Sequence, residues 1–188
     1  MAMREFVRRA FSDYLFATNL TLGSSFMLAG DVLAQKVMKT AAEEHHDWQR
    51  TKNMWIMGAG FGLLGHYWYS FLDRRFPGRS WSMIRPKLLA ECAATPAFAG
   101  YTFLSFGTLQ GKSLEACVQD FRENIHYVCI ADWCGYVPLQ VINFLYLPPR
   151  YRFLFVCGLS VLYDCFLAWL LNKPQCLPEP GKKDKKES

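Results

Sequence analysis

Stretches free of Asp, Glu, Lys and Arg recur along this chain of 188 residues. Asn53–Leu72 and Cys92–Gly111 each run twenty residues, Tyr14–Gly30 and Trp133–Pro149 seventeen, and Phe153–Tyr163 eleven before Asp164 interrupts. A helix that crosses a bilayer needs about 20 mostly apolar residues, with about 17 to 25 tolerated. Four segments meet that length, and a fifth, about Phe153 to Leu171, meets it if one acid is accommodated. Five such runs are hard to bury in a soluble domain this small. The pattern predicts an all-α fold: a polytopic transmembrane bundle of four to five hydrophobic helices with a polar interior seam, forming a single domain over residues 14–171.

The intervening segments are polar. Lys36–Lys52 carries Glu43-Glu44-His45-His46-Asp47, and Asp73–Lys87 carries five basic residues around a Pro77-Gly78 turn. Gln110–His126 reads as a polar, partly helical loop that Ser113 caps. Residues 1–13 form a basic, amphipathic N-terminus compatible with mitochondrial targeting, although Glu5 departs from that composition. Residues 172–188, with three prolines and the run Lys182-Lys183-Asp184-Lys185-Lys186, read as a disordered tail. Its last residues also fit a dilysine retrieval signal for the endoplasmic reticulum.

Composition sharpens this only partly. Charged residues make up 20%, below the roughly 25% usual in soluble domains, and hydrophobic residues 52%. Mean hydropathy is only +0.02, so the distribution of apolar residues carries the membrane reading, not their total. Trp55, Tyr67, Trp68, Trp81, Trp133 and Trp169 cluster near segment ends, as interfacial anchoring requires, and core packing would place them there as well. Orientation rests on Lys and Arg. With five spans the two sides carry 10 and 11; with the Pro138 segment not fully crossing, they carry 13 and 8. The larger bias favours four spans plus a re-entrant or tilted fourth segment.

Polar residues inside the apolar runs recur at helical spacing. Asn19, Gly23, Met27 and Asp31 share a face of the first segment, and Gly58, Gly62, His66, Tyr69 and Asp73 a face of the second. Glu91, Thr95, Phe98 and Thr102 follow on the third, Asp132, Tyr136, Gln140 and Asn143 on the fourth, and Ser160 with Asp164 on the fifth. An acid in mid-membrane costs about 2.5–3.5 kcal/mol on insertion scales, so these stripes should face protein or water. The candidate seam or pore lining is Asn19, Asp31, His66, Asp73, Glu91, Asp132, Gln140, Asn143 and Asp164. It is either a water-filled path or a set of interhelical hydrogen bonds worth about 0.6 kcal/mol each. The glycines of Gly58-Ala59-Gly60-Phe61-Gly62 permit close helix approach, expected within the chain rather than between copies.

Catalytic and metal chemistry find little footing. The seven cysteines contain no Cys-x-x-Cys pair and read as reduced core thiols. His45-His46 lacks zinc spacing. No phosphate loop, nucleophile elbow or His-Glu-x-x-His is present, so neither an enzyme nor a metal or cofactor is expected. The net charge of +5 owes much to the tail, where no aromatics are interleaved, and direct sequence-specific nucleic-acid binding is not expected. Anionic lipid or RNA remains open as a partner of that tail.

The same stripes carry a family resemblance. Gly65-His66-Tyr67-Trp68-Tyr69, followed by Leu72-Asp73-Arg74 and Phe76-Pro77-Gly78, resembles a motif of the Mpv-seventeen/peroxisomal membrane protein family. So do Gly30-Asp31 with Gln35, and Gln140-Val141-Ile142-Asn143-Phe144 with Pro148 and Arg152. The likeness runs from about Leu20 to Leu171. Ala131-Asp132-Trp133-Cys134 and Leu147-Pro148-Pro149 resemble most the mitochondrial Mpv-like-two branch. Two positions depart from the family pattern. Tyr136-Val137 replaces Trp-Pro, with proline one residue later at Pro138, and Ala90-Glu91 replaces an acid-Gln pair before Pro96. If those residues line a pore or set a kink, pore geometry differs here.

The resemblance implies a small multi-span organelle protein, most often of the mitochondrial inner membrane, with peroxisomal or endoplasmic reticulum membranes as alternatives. Two functional classes stand. One is an inner-membrane protein supporting mitochondrial ribosome assembly and translation, with a ribosomal subunit as partner. The other is a weakly selective small-solute channel involved in mitochondrial homeostasis. The lipid bilayer is a partner in both, and a homo-oligomer is compatible with either.

Overall fold

The computed structural model describes residues 2–37 and 45–171, with side chains over 3–36 and 45–162. Among these described residues, seven α-helices follow in order: α1 Ala2–Ala10, α2 Leu15–Val37, α3 Trp48–Arg75, α4 Trp81–Leu109, α5 Leu114–Ala131, α6 Val137–Tyr146 and α7 Arg152–Leu171. No strand occurs among the described residues, so the fold is all-helical. The proposed tail, and Glu43 and Glu44 of the first loop, lie outside the described residues, as does the side chain of Asp164.

Local chemistry sets the helix ends. Asp47 caps α3 by accepting from the Arg50 N–H at 2.9 Å, and Ser113 caps α5 by accepting from the Ala116 N–H at 3.3 Å. Gly111, at φ +81°, closes α4 in a Schellman motif: the Lys112 N–H reaches the Gly107 carbonyl at 2.9 Å and the Gly111 N–H the Thr108 carbonyl at 3.0 Å. Gly78, at φ +104°, turns the chain between α3 and α4. Pro148 and Pro149 stop α6, and a short 3₁₀ turn at Pro149–Tyr151 leads into α7.

The fourth segment departs from expectation. It is neither a re-entrant loop nor separate from Gln110–His126. α5, a π turn at Asp132–Tyr136 and α6 form one continuous helix, Leu114–Tyr146, of 33 residues. Pro138 has no N–H to offer the Cys134 carbonyl, and its ring would crowd that turn. The widened turn, with the Val137 N–H bonded to the Asp132 carbonyl, carries the helix through this region without a break. By length and average apolarity this helix is, among the described residues, the one long and apolar enough to cross a membrane. Four or five such helices were expected. In α2, α3 and α4, polar residues and glycines inside the runs, among them Asn19, Asp31, Gly58, His66 and Thr95, lower the average apolarity, and the side chains of α7 are described only to Leu162.

Contacts fix the packing order. Asp31 meets Thr51 and Asn19 meets His66, so α3 runs antiparallel to α2. Asn53 bonds the Leu109 carbonyl while Asp73 meets Lys87, so α4 reverses again. Gly107 lies on Cys117 and Thr95 bonds Asp132, which turns the α5–α6 rod back. Gly65 lies on Phe153 and Gly158 near Phe26, setting α7 beside α2 and parallel to it. The tightest seam joins α2 to α3: a Cβ built on Gly62 would stand 2.6 Å from the Asn19 carbonyl oxygen, and Gly23 faces Gly58 as closely. The glycine stripe is thus an intramolecular contact, as expected.

The distribution of side chains is partly inverted. Asn19, Gln140 and Asn143 are buried, with Gln140 and Asn143 at 0% exposure, while Phe71, Leu89, Ile130 and Leu162 lie exposed on the outer faces of the rods. Such a surface is expensive in water and cheap against lipid. The buried apolar cluster of Tyr69, Leu72, Ile84, Phe144, Phe153 and Cys157 sits toward the end where α3 finishes and α4 and α7 begin.

Candidate functional site: a polar seam and two cavities

At that end the chain ties three helices with charge. Asp73, near the end of α3, accepts from Lys87 of α4 at 2.7 Å and pairs with Arg152 at the start of α7. Both cations are almost fully buried and both lie over the Phe144 ring, with Lys87 Nζ 5.4 Å and Arg152 Cζ 5.1 Å from its centroid. A buried charge without a partner is costly, so the shared carboxylate holds two otherwise unpaired cations. From there the network runs inward. Asn143 Nδ2 donates to Gln140 Oε1 at 2.7 Å and toward the Arg152 carbonyl at 3.5 Å, and Gln140 Nε2 donates to the Tyr69 hydroxyl at 2.7 Å.

Midway along the bundle the polar pairs are smaller. Asn19 Nδ2 meets His66 Nδ1 at 3.2 Å. The Trp68 indole N–H donates to Glu91 Oε1 at 3.0 Å, and the Thr95 hydroxyl to Asp132 Oδ2 at 2.7 Å. Pro96 removes the N–H that would bond the Cys92 carbonyl, and the Trp133 indole supplies a substitute at 3.3 Å. The departure at Ala90-Glu91 therefore places a carboxylate against an indole. The departure at Tyr136–Pro138 coincides with the π turn, which brings Asp132 and Tyr136 to one cavity wall.

Asp31 belongs to neither group. At the opposite end it accepts from Thr51 at 2.6 Å and Gln35 at 2.7 Å and pairs with Arg50 at 2.8 Å. Gln35 also grips the Asp47 backbone, accepting from its N–H at 2.9 Å and donating to its carbonyl at 3.2 Å. This cluster clamps α2 to the start of α3. His46 joins it through Thr51 at 2.8 Å. Beyond it, Lys112 pairs with Asp120 at 2.7 Å, and that hydrogen bond, with the acid's charge, raises the ammonium above its ordinary pKa.

Two cavities lie along the seam. The smaller, of about 220 Å³, opens among Asn19, His66, Ser70, Asp73 and Arg74. The larger, of about 570 Å³, opens among α2, α3, α4, the α5–α6 rod and α7 and is lined largely by aromatic and aliphatic groups, with Glu91, Thr95, Thr102, Asp132 and Ser160 as polar points. Tyr69 and Phe153 line both and stand between them. The Phe153 ring fills the space a side chain on Gly65 would need, so that glycine permits the partition.

Of the expected seam residues, the structure brings together Asn19 with His66, Asp73 with Gln140 and Asn143 through Arg152, and Glu91 with Asp132 across one cavity. It separates Asp31 from all of them. Of the motif residues, Tyr69 and Arg152 join the Asp73 network, Phe144 lies under its two cations, Trp68 bonds Glu91, Gly65 seats Phe153, and Pro77 and Pro148 mark helix boundaries. Lys87 and Thr95 were not foreseen as partners of the acids, and neither were Arg50 and Thr51. Lys87 lies 14 residues from its acid, with no local pattern linking them.

Residues 107–168 match the model of the Mpv17 / PMP22 family. The chain is 27% identical to "Mitochondrial inner membrane protein Mpv17" of Bos taurus, over 92% of this chain and 99% of that one. It is 30% identical to "Protein sym-1" of Neurospora crassa over 75% of this chain and 83% of that one. It is 27% identical to "PXMP2/4 family protein 4" of Dictyostelium discoideum over 82% and 85%. No solved structure matches it.

Proposed function

The chain belongs to the Mpv17 / PMP22 family and to the mitochondrial inner membrane, and from that premise we propose that all five long rods cross the bilayer and that their seam passes small solutes. The observation that carries this reading is a pair of cavities along the bundle with Tyr69 and Phe153 lining both. A polar mouth at Asp73 and Arg74 would admit a hydrated solute, and the larger cavity would hold it in mid-bundle. Catalysis has no part in this proposal: the seam's work is passage. The test is conductance of the purified protein in planar bilayers. Phe153→Leu, which trims the partition, should raise single-channel conductance, and Gly65→Val, which crowds it, should lower it. Well-folded protein that never conducts would sink the reading.

A second reading, support of mitochondrial ribosome assembly and translation, is favoured by one feature. Arg74, Arg75, Arg79, Arg85 and Arg150 gather at one end of the bundle with Arg8 and Arg9 of α1, which docks there through Phe11 on Tyr151 at 4.9 Å. Such a face suits a polyanion. Gradient sedimentation of mild-detergent extracts should then show salt-sensitive co-migration with a ribosomal subunit that Arg79→Ser with Arg85→Ser weakens. Migration apart from ribosomes at low salt would refute it.

A further inference from the structure

The larger cavity has an uneven chemistry. Among the described residues, eight aromatic side chains face it, including Phe26, Phe61, Trp68, Phe98, Tyr127 and Phe153, and its lining contains no Lys, Arg or His. Two carboxylates, Glu91 and Asp132, stand on its wall. Each accepts a hydrogen bond, Glu91 from the Trp68 indole and Asp132 from the Thr95 hydroxyl, and Glu91 also lies beside the Tyr69 hydroxyl and the Gln140 amide, all of them neutral groups.

Elsewhere among the described residues, interior acids are treated differently. Asp31 is paired with Arg50, and Asp73 with Lys87 and Arg152. Glu91 and Asp132 are in no ion pair with any described residue. Aromatic faces attract cations through their quadrupole, and carboxylates attract them by charge. A cavity of about 570 Å³ falls within the range that holds small organic ligands. We infer that the larger cavity is a binding site for an organic cation, an ammonium group on an apolar body. The ammonium sits between Glu91 and Asp132 and supplies the counter-charge the chain withholds, while the apolar body lies against the aromatic walls. Anions and sugars are poor occupants, because the walls give them neither cations nor enough hydrogen-bond donors. The inference rests on the solute-passage reading, since it names the solute class that the mid-bundle cavity would favour.

The test is calorimetric titration of the detergent-solubilised full chain with phenylpropyltrimethylammonium and with its neutral carbon isostere, in which tert-butyl replaces trimethylammonium. The cation should bind at least about tenfold more tightly than the isostere. Glu91→Gln and Asp132→Asn keep the acceptors for Trp68 and Thr95 while removing charge, and each should weaken cation binding about tenfold or more. Asp120→Asn, on an exposed acid outside the cavity, should change nothing. Phe98→Leu, with both charges intact, should also weaken the cation, which keeps the inference testable if an acid variant misfolds. Equal binding of cation and isostere, no binding of either, or full affinity in the doubly neutralised protein would each overturn it. Binding without conductance in the bilayer would fail the passage reading alone, and conductance without cation binding would fail this inference alone.

Discussion

Two glycine-to-alanine changes in one protein should act with opposite sign. At Gly62 a new Cβ would lie 2.6 Å from the Asn19 carbonyl oxygen and 2.6 Å from Leu20 Cα, both backbone atoms of α2. No rotamer change relieves that contact. To regain ordinary van der Waals distance, from 2.6 to about 3.4 Å, α2 and α3 must move apart by about 0.8 Å. Overpacking of this kind costs about 1–3 kcal/mol, and the helical gain of alanine over glycine, about 1 kcal/mol, offsets part of it. The shift would also strain the Asn19–His66 contact, at 3.2 Å one turn away. At Gly100 the new Cβ would meet only the Phe121 ring at 3.8 Å, an ordinary contact. Gly100→Ala should therefore be neutral or stabilise by up to about 1 kcal/mol. Denaturant titration in detergent, followed by circular dichroism, should place Gly62→Ala up to about 2 kcal/mol below the wild type and Gly100→Ala at or above it. Equal stability of the two variants would refute the close-packed α2–α3 seam.

Asp73→Asn should be more damaging, because it leaves Lys87 and Arg152 buried without their acid. A loss of about 3–5 kcal/mol is expected by the same titration, and a loss under about 1 kcal/mol would show that the cations find other partners. Trp133→Phe removes the donor that serves the Cys92 carbonyl beside Pro96. It should cost about 0.5–1.5 kcal/mol and increase hydrogen exchange in the middle of α4, whereas unchanged exchange there would refute the role. Asp47→Ala deletes the cap of α3 and should cost about 1 kcal/mol, with fraying of Trp48–Thr51 visible by exchange. No change in the exchange of those residues would count against the cap.

Much of the bundle was legible because its signals are local. Each charge-free run lies within one helix, apart from Tyr14, which precedes α2, and the ends of Cys92–Gly111 and Trp133–Pro149, which pass into the turns that follow. Glu115, Asp120, Arg122 and Glu123 break the apolar pattern, so by sequence the Leu114–Tyr146 rod divides into a polar, partly helical loop and a separate segment. Helical hydrogen bonding does not depend on that pattern, so the rod runs through. Its fate at Pro138 was equally hidden, since a π turn depends on how the flanking turns pack, which spacing alone does not encode.

The amino-acid order alone determined that these segments are helices, that each carries one polar stripe, and that Gly58 and Gly62 can meet another helix. Those properties depend on residues three or four positions apart. Only the tertiary structure decided which acids are neutralised from within. Asp73 finds Lys87 and Arg152, 14 and 79 residues away, and Asp31 finds Arg50, while Glu91 and Asp132 share an aromatic cavity with no cation among the described residues of its wall. The physical reason is that charge pairing acts through a few ångströms of space, and helix packing sets that distance independently of separation along the chain.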